Sequence, residues 1–194
     1  MIFEIAFVIA SYLLGSIPTG LLLGKAFGVD IRSAGSGNIG ATNVYRTLGR
    51  TVGVLTLAGD CLKGVVPVVL ARHLGLPDIW LAAAGSAAFL GHVFTVFLRF
   101  KGGKGVATAL GVFLGISPLS VLAAFGVFAL VLWKWRFVSL ASMSAAALMA
   151  LFIAAIDGRP LIISMTLLIA AVIILKHREN IGRLKAGTEN RFKA

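Results

Sequence analysis

Long runs of apolar residues, separated by short polar segments, are the feature that most limits how this chain can fold. A helix needs about 20 mostly apolar residues to cross the hydrocarbon core of a bilayer. Uninterrupted apolar runs indicate helices, because the strands of a membrane barrel alternate polar and apolar side chains. Hydrophobic residues make up 59% of the chain and charged residues only 13%, which excludes a soluble domain. The runs cover residues 2–23, 53–70, 79–98, 106–133, 137–156 and 161–175.

The run at residues 106–133 is too long for a single span. As one helix it would measure about 42 Å at 1.5 Å per residue, against roughly 30 Å of hydrocarbon. Ser117-Pro118 lies in its middle, and proline disfavours helix at the preceding residue. We therefore predict two short or partly re-entrant helices here. The whole chain, residues 1–194, is then a single domain of an all-α integral membrane protein with seven transmembrane helices.

The distribution of charge predicts how these helices are oriented. Basic residues of membrane proteins concentrate in cytoplasmic loops, and this chain has a formal net charge of +11. With seven helices, every lysine and arginine, Lys193 included, falls on one side, except Lys63, Arg72 and Arg159. The N-terminus is then outside and the C-terminus is cytoplasmic. Cytoplasmic loops account for the charge, so no nucleic-acid partner is expected.

The first polar segment, residues 33–50, has the composition of a ligand-binding loop that packs no core. Its glycines let backbone N–H groups approach an anion, and its arginines offer a fork that fits phosphate oxygens. Hydroxyl and amide side chains add neutral hydrogen bonds. A plain interhelical loop with glycine turns is the alternative. The residues of interest are Ser36, Gly37, Asn38, Gly40, Thr42, Asn43 and Arg46.

Two further polar segments share this character. In residues 100–108, a Gly102-Gly103-Lys104 sequence precedes an apolar helix, where free backbone N–H groups and the helix dipole favour an anion. A loop that only anchors the chain to lipid is an equal alternative. In residues 176–189, His177 and Asn180 reach one ligand if the helix continues through them. All three segments fall on the predicted cytoplasmic side, where they would describe one site.

The polar residues inside the apolar runs have structural explanations. Asp60 and Lys63 are three positions apart, so they are expected to pair on one helix face. His92 is expected to be a buried, hydrogen-bonded residue. The single cysteine, Cys61, provides no disulfide framework. No ligand cluster is recognisable among the few carboxylates, so neither a metal nor a cofactor is expected.

In the three polar segments the chain resembles the bacterial membrane acyl-phosphate:glycerol-3-phosphate acyltransferases. The residues that carry the resemblance are SAGSGNIGATNVYRTLG at 33–49, GHVFTVFLRFKGGKGVAT at 91–108 and KHRENIGRLKAGTE at 176–189. They occur in the family's order and cover about a quarter of the chain. Thr95 departs from the proline of many members; it is expected to lie in a helix and to leave the chemistry unaffected.

The resemblance implies transfer of a fatty acyl group from a long-chain acyl phosphate to the 1-hydroxyl of glycerol 3-phosphate. The products would be lysophosphatidic acid and phosphate, in the first step of phospholipid synthesis. The enzyme would work as a monomer among the lipids of the bacterial cytoplasmic (inner) membrane, with its active site facing the cytoplasm and no metal. The residues that carry over are Ser36, Arg46, Lys104, His177 and Asn180 for activity, Gly102 and Gly103 for the loop linked to glycerol 3-phosphate, and Glu189 as a structural acid.

Several alternatives stay open at this point. Ser139 and Ser142, near the start of the sixth helix, either line the substrate pocket or ease helix packing. A transporter of phosphorylated metabolites would show broken helices at the membrane midplane and internal repeats; the break at Ser117-Pro118 fits, but no repeat is found. A scaffold that binds anionic lipid through its basic loops would need no catalytic residue.

Overall fold

A computed structural model describes residues 1–192, and it is helical as predicted, with no strand in that range. Lys193, one of the basic residues assigned to the cytoplasmic side, lies outside the described residues. A short 3₁₀-helix at Val96–Leu98 follows α4. The α-helices are α1 (Ile2–Ser16), α2 (Thr19–Ala26), α3 (Ala41–His73), α4 (Asp78–Val93), α5 (Val106–Ile116), α6 (Pro118–Trp135), α7 (Val138–Ile156), α8 (Pro160–Lys176) and α9 (Arg178–Lys185).

The helices include several that are long and apolar enough to cross a membrane. Five segments within residues 1–192 meet this criterion, and the bent pair α8–α9 makes a sixth if it is one span. With 11 residues, α5 would measure only about 16 Å at 1.5 Å per residue, too short to cross the hydrocarbon alone. The five segments are Ile2–Ala26, Ala41–His73, Asp78–Leu98, Pro118–Trp135 and Val138–Ile156. Seven crossings, and the orientation derived from them, stay a prediction.

Prolines divide two of the apolar runs. The predicted break at Ser117-Pro118 is confirmed, because α5 ends at Ile116 and α6 begins at Pro118. The run at 2–23 was expected to be one spanning helix. It lies within a single candidate span, Ile2–Ala26, but the helix is not continuous, because α1 ends at Ser16 and α2 begins only after Pro18. Proline lacks an N–H group and disfavours helix at the residue before it, so both runs are interrupted for the same reason.

The described chain forms two compact units, and each is considered by itself. In the first unit, Met1–Ile116, α3 packs against α5 and α4, and α1 packs against α4. Glycine makes the α3–α5 contact close: a side chain at Gly64 would lie 2.2 Å from Thr108 O, and one at Gly111 would lie 2.0 Å from Cys61 O. Small residues at helix crossings are typical of packing within membranes.

The second unit begins at Ser117. In it α6 packs against α7, and α7 packs against α8, so neighbours in sequence are neighbours in space. Large apolar side chains on α6 remain exposed, with Leu119 and Leu122 at 67% and 66% of their full accessibility. Such a surface is stable against lipid and unfavourable in water, which agrees with an integral membrane protein.

Candidate functional site

The first polar segment is a loop only in its N-terminal half. Gly40 has an extended backbone and precedes α3, which begins at Ala41. The expectation that residues 33–50 pack no core is therefore wrong: Val44 is fully buried and forms a core cluster with Ile31 and Val52. Residues 41–48 supply apolar side chains at helical spacing beneath the polar ones, which is why the helix forms there. The backbone departs from helix at Gly49, where φ is 84°.

Asn43 holds this loop together. Its side chain is 2% exposed and forms three hydrogen bonds with the loop backbone. Asn43 Oδ1 accepts from the Ser36 N–H (2.8 Å), and Nδ2 donates to the carbonyl oxygens of Ile31 (3.2 Å) and Ala34 (3.0 Å). One amide therefore fixes the ends of a stretch that has no regular structure, and the side chain predicted to bind substrate is engaged with its own loop.

The other predicted residues of this segment are arranged around Asn43. Ser36 is exposed on the loop and Arg46 is exposed on the first turns of α3, while Thr42 is half-buried there. Asn38 Oδ1 accepts a hydrogen bond from the Gly40 N–H (2.8 Å), which closes a local turn. Gly37 has a φ of 70°, a conformation that favours glycine. Their roles in substrate binding stay predictions.

The second polar segment precedes a helix as expected: residues 101–105 are irregular and α5 begins at Val106. However, the N–H groups of its first two glycines are already used. The Gly102 N–H donates to Val93 O (3.2 Å), and the Gly103 N–H donates to His92 O (3.1 Å). The expectation that these two N–H groups point at a ligand is wrong, because they tie the loop to the end of α4. Lys104 follows directly and is half-buried.

Arg32 joins the first and second segments within the first unit. Its Nη2 donates to Lys101 O (2.8 Å), and its own N–H donates to Asp30 Oδ1 (3.0 Å). The residue immediately before the first segment is thus hydrogen-bonded to the second segment. Sequence reasoning did not select Arg32, because an arginine beside a membrane is expected from the charge rule alone. Its position immediately before the glycine-rich stretch was the available signal.

A buried polar cluster lies beneath the second segment. Lys63 Nζ is 2.8 Å from Asp60 Oδ1, which confirms the predicted ion pair, and it also donates to Ile17 O (2.7 Å) at the break between α1 and α2. His92 Nδ1 lies 3.6 Å from the same carboxylate oxygen. His92 is buried as predicted, at 4% exposure, but its Nδ1 has no hydrogen-bond partner among residues 1–192.

The third polar segment belongs to the second unit. The helix does not continue straight through it: α8 ends at Lys176, α9 begins at Arg178, and the two are bent by 53°. His177 lies at this bend, 3% exposed, with its Nδ1 2.8 Å from Ile173 O. Asn180 is 6% exposed, and its Nδ2 donates to Glu189 Oε1 (2.7 Å).

Glu189 organises the end of the second unit. Ser139 Oγ also donates to its Oε1 (2.6 Å), and Arg183 Nε donates to its Oε2 (2.7 Å). Burial would raise the pKa of Glu189, but the hydrogen bonds from Ser139, Asn180 and Arg183 outweigh it, so the pKa lies below its ordinary value. These contacts agree with a structural role for the acid. Ser142, one turn after Ser139 on α7, is buried at 5% exposure.

Thr95 was expected to lie in a helix, and this is wrong. It lies between the end of α4 and the 3₁₀-helix, and it is 1% exposed. Its Oγ1 donates to Ser16 O (2.6 Å), a carbonyl beside the α1–α2 break. The hydroxyl therefore satisfies a buried backbone acceptor at a position where a proline could only pack. Among residues 1–192, no group of three His, Cys, Asp or Glu side chains is placed to hold a metal ion.

The apolar helices and the glycine-rich basic segments define a helical integral membrane protein with conspicuous polar segments between its helices. Residues 5–187 match the family model described as glycerol-3-phosphate acyltransferase. Glycerol-3-phosphate acyltransferase of Geotalea daltonii is 70% identical over 98% of each chain, and that of Geobacter sulfurreducens is 66% identical over the full length of both. The chain belongs to the glycerol-3-phosphate acyltransferase family.

Solved structures agree with this assignment. The crystal structure of PlsY (YgiH), an integral membrane glycerol 3-phosphate acyltransferase, in its glycerol 3-phosphate form superposes with a TM-score of 0.93. It is 47% identical over 98% of this chain and 96% of that one. The lysophosphatidic acid form of the same protein superposes with a TM-score of 0.90 at the same identity. Family and fold therefore agree, and the transporter and scaffold alternatives are not supported.

Proposed function

We propose that this protein transfers a fatty acyl group from acyl phosphate to the 1-hydroxyl of glycerol 3-phosphate, giving lysophosphatidic acid and phosphate. The observation that carries the proposal is the likeness, over 98% of the chain, to a membrane acyltransferase solved in glycerol 3-phosphate and lysophosphatidic acid forms. Those two compounds are acceptor and product of one reaction. We place it in the bacterial cytoplasmic membrane, with the polar segments facing the cytoplasm, as the first step of phospholipid synthesis.

The first unit supplies the groups suited to the phosphate of the acceptor. Arg46 and Lys104 bring positive charge to the first and second segments, and Arg32, immediately before the first, is hydrogen-bonded to the second. A guanidinium binds phosphate oxygens with two parallel hydrogen bonds, and a lysine ammonium provides a compact charge. Ser36, exposed on the loop that Asn43 fixes, adds a hydroxyl donor. These groups support an anion site at the membrane surface.

Transfer of the acyl group from acyl phosphate needs no strong side-chain base. In a direct transfer, the 1-hydroxyl oxygen attacks the acyl carbon, the new C–O ester bond forms, and the bond from the acyl carbon to the phosphate oxygen breaks. The hydroxyl proton leaves with the departing phosphate, whose oxygens accept it. Preorganised donors stabilise the charge that develops on the acyl oxygen and on the phosphate. Such a step requires cationic and neutral hydrogen-bond donors and no metal.

The residues of the third segment have positioning roles in this proposal. His177 and Asn180 are buried and hydrogen-bonded in the second unit, and we propose that they orient glycerol 3-phosphate. Glu189 holds Asn180 in place through its Oε1. We assign Glu189 to structure, since its carboxylate is occupied by Ser139, Asn180 and Arg183. Ser142, buried one turn along from Ser139, is assigned to the wall of the substrate pocket.

The test is an assay of the purified protein with palmitoyl phosphate and glycerol 3-phosphate in the presence of a metal chelator. We expect equal amounts of phosphate and lysophosphatidic acid. Lys104→Ala should lower kcat/KM by at least about tenfold, because a hydrogen bond to a charged group contributes about 1.5–3 kcal/mol. Lys101→Ala is the matched control: it removes the same charge from the exposed end of the same loop and should stay close to the parent.

Two outcomes would overturn the proposal. A folded protein that forms no product with acyl phosphates of several chain lengths, but does so with another acyl donor, would refute the donor. Equal and salt-sensitive losses in Lys101→Ala and Lys104→Ala would show that the loop acts only as diffuse positive charge at the lipid surface.

A further inference from the structure

His92 is in contact with the glycine loop through both its backbone and its ring. Its carbonyl oxygen accepts the Gly103 N–H at 3.1 Å, and the neighbouring Val93 carbonyl accepts the Gly102 N–H at 3.2 Å. The Nε2 edge of the ring lies directly against Gly103: a Cβ atom built on that glycine would be 2.2 Å from Nε2. The ring therefore occupies the space into which any side chain at position 103 would point.

The other edge of the same ring faces the buried ion pair. Nδ1 of His92 lies 3.6 Å from Asp60 Oδ1, and Lys63 Nζ lies 2.8 Å from that oxygen. Lys63 also donates to Ile17 O, at the break between α1 and α2. The imidazole of His92 thus lies between the loop before α5 and the Asp60–Lys63 pair of α3. Lys63 in turn contacts the break between α1 and α2.

We infer that His92 is a positioning residue for the acyl transfer: its ring, which faces Asp60 on one edge, packs against Gly103 on the other and so fixes the position of the Gly102-Gly103-Lys104 loop. The inference rests on the proposed function, because it takes this loop as part of the site for the phosphate of glycerol 3-phosphate. Lys104 follows Gly103 directly, so any movement of the glycine moves the lysine ammonium.

The burial of these groups explains why such an arrangement is rigid. Asp60, Lys63 and His92 are 1%, 5% and 4% exposed, so water cannot replace a contact that is lost. A carboxylate facing Nδ1 favours the tautomer with the proton on that nitrogen, and this leaves Nε2 as an acceptor on the side of Gly103. A buried polar ring that supports a ligand loop is expected to tune binding geometry rather than to take part in bond making.

Two substitutions of His92 test the contributions of the two edges of its ring separately. In His92→Asn the amide stays where Nδ1 faces Asp60, but the space against Gly103 is left empty. In His92→Gln the longer side chain brings its amide to the place of Nε2. We expect His92→Asn to weaken glycerol 3-phosphate binding by about tenfold or more, as displaced binding groups do, and His92→Gln to stay much closer to the parent.

Equilibrium binding of glycerol 3-phosphate to the full chain in detergent, without any acyl donor, is the measurement. Exposed His73 on α3 provides the control, since His73→Gln should leave binding unchanged. Thermal unfolding of each variant reports stability separately. Equal effects of the Asn and Gln substitutions, or losses of binding that only follow losses of stability, would overturn the inference.

A second experiment keeps the inference testable if His92→Asn does not fold. Gly103 does not have a positive φ, so alanine is compatible with its backbone, and the close contact with His92 is what opposes a methyl group. Gly103→Ala should weaken binding, and adding His92→Ala should then cause no further loss, because the space is vacated. Additive losses would show that the two residues act independently and would overturn the inference.

Different results would refute the phosphate-binding role of the Lys104 loop and the positioning role of His92. If Lys104→Ala binds glycerol 3-phosphate as tightly as the parent, the loop is not the phosphate site and the proposed function of this loop is wrong. If Lys104→Ala weakens binding but the His92 and Gly103 variants do not, the loop is the site and only the positioning role of His92 is refuted.

Discussion

At the scale of single residues, the first polar segment depends on one amide. Asn43 is the only group in the described part of the chain that contacts the loop backbone at Ile31, Ala34 and Ser36 together. An amide has both a carbonyl acceptor and two N–H donors, so it satisfies an N–H and two carbonyl groups at once. Few other side chains of this size could do so, and the loop has no regular hydrogen bonding to replace it.

We therefore expect Asn43→Ala to disturb the loop more than the fold. Removal of the amide leaves the Ser36 N–H and the Ile31 carbonyl without this partner, whereas Ala34 O keeps its hydrogen bond from the Gly37 N–H. We expect a cost of about 1–3 kcal/mol in the free energy of unfolding. Activity should fall further than this loss of stability explains, because Ser36 is placed by the same amide. Steady-state kinetics and thermal unfolding of the purified variant measure the two effects.

Thr47→Ala is the control for this prediction. Thr47 lies one turn further along α3, and its Oγ1 donates to Asn43 O within the helix (3.0 Å). Its loss should change stability by no more than about 0.5 kcal/mol and leave kcat/KM nearly unaltered. An Asn43→Ala enzyme with full activity would mean that the loop keeps its shape without the amide, and would contradict the prediction.

Sequence reasoning selected three polar segments, but it did not identify the hydrogen-bond partners of the side chains and backbone groups in them. Polar residues near a predicted site are expected to bind ligand, and nothing in the sequence distinguishes an amide that faces substrate from one that faces its own loop. Asn43 was assigned to substrate for this reason, and Gly102 and Gly103 were expected to offer N–H groups that are in fact bonded to α4. Which partner a donor finds is decided by the packing of residues that lie 7 to 12 positions apart in sequence.

At the scale of helices, two of the apolar runs divide at a proline. The break at Ser117-Pro118 was predictable because the run was too long to be one span. The break at Pro18 was not predicted, because a run of 22 residues has the length of a single span, although the proline itself was an available signal. The break at Pro18 leaves backbone carbonyl groups available for side chains. Ser16 O accepts a hydrogen bond from Thr95, and Ile17 O accepts one from Lys63.

The Glu189 carboxylate is hydrogen-bonded to Asn180 and Arg183 of the short helix α9 and to Ser139 of α7, which makes the stability of this region depend on pH. The pKa of Glu189 lies below its ordinary value of 4.5, since hydrogen bonds from Ser139, Asn180 and Arg183 favour the charged form over the effect of burial. The contribution to stability is therefore fully present above the ordinary value, and it is lost as pH falls through the lowered pKa.

A comparison of the parent with Glu189→Gln measures this contribution. We expect the parent to unfold at the higher temperature near neutral pH, and the difference between the two to disappear in acid, below the lowered pKa of the carboxyl. Glu179→Gln, which removes an exposed carboxylate from the first turn of the same helix, is the control and should show no such trend. A difference that stays constant down to acid pH would contradict the prediction, because it would not come from the charge of Glu189.

At the scale of the whole molecule, the open question is how many times the chain crosses the membrane. Length and composition of the described helices support five or six spans, whereas the distribution of basic residues favours seven. The difference concerns the 11-residue α5 and the bent pair α8–α9. A short helix can complete a crossing where the bilayer thins or where its ends are covered by protein, so length alone does not settle it.

Accessibility of single cysteines decides between these topologies. The natural Cys61 is replaced by serine, and cysteine is placed in turn at the exposed positions Phe27, Leu74 and Ala186. With seven crossings, a membrane-impermeant thiol reagent should label Leu74→Cys in spheroplasts and should label the other two only after lysis. If α5 and α6 made one crossing between them, the parity after α4 would change, and Ala186→Cys would be labelled from the same side as Leu74→Cys. That result would also move the third polar segment away from the cytoplasm, and a role for His177 and Asn180 beside glycerol 3-phosphate would then be untenable.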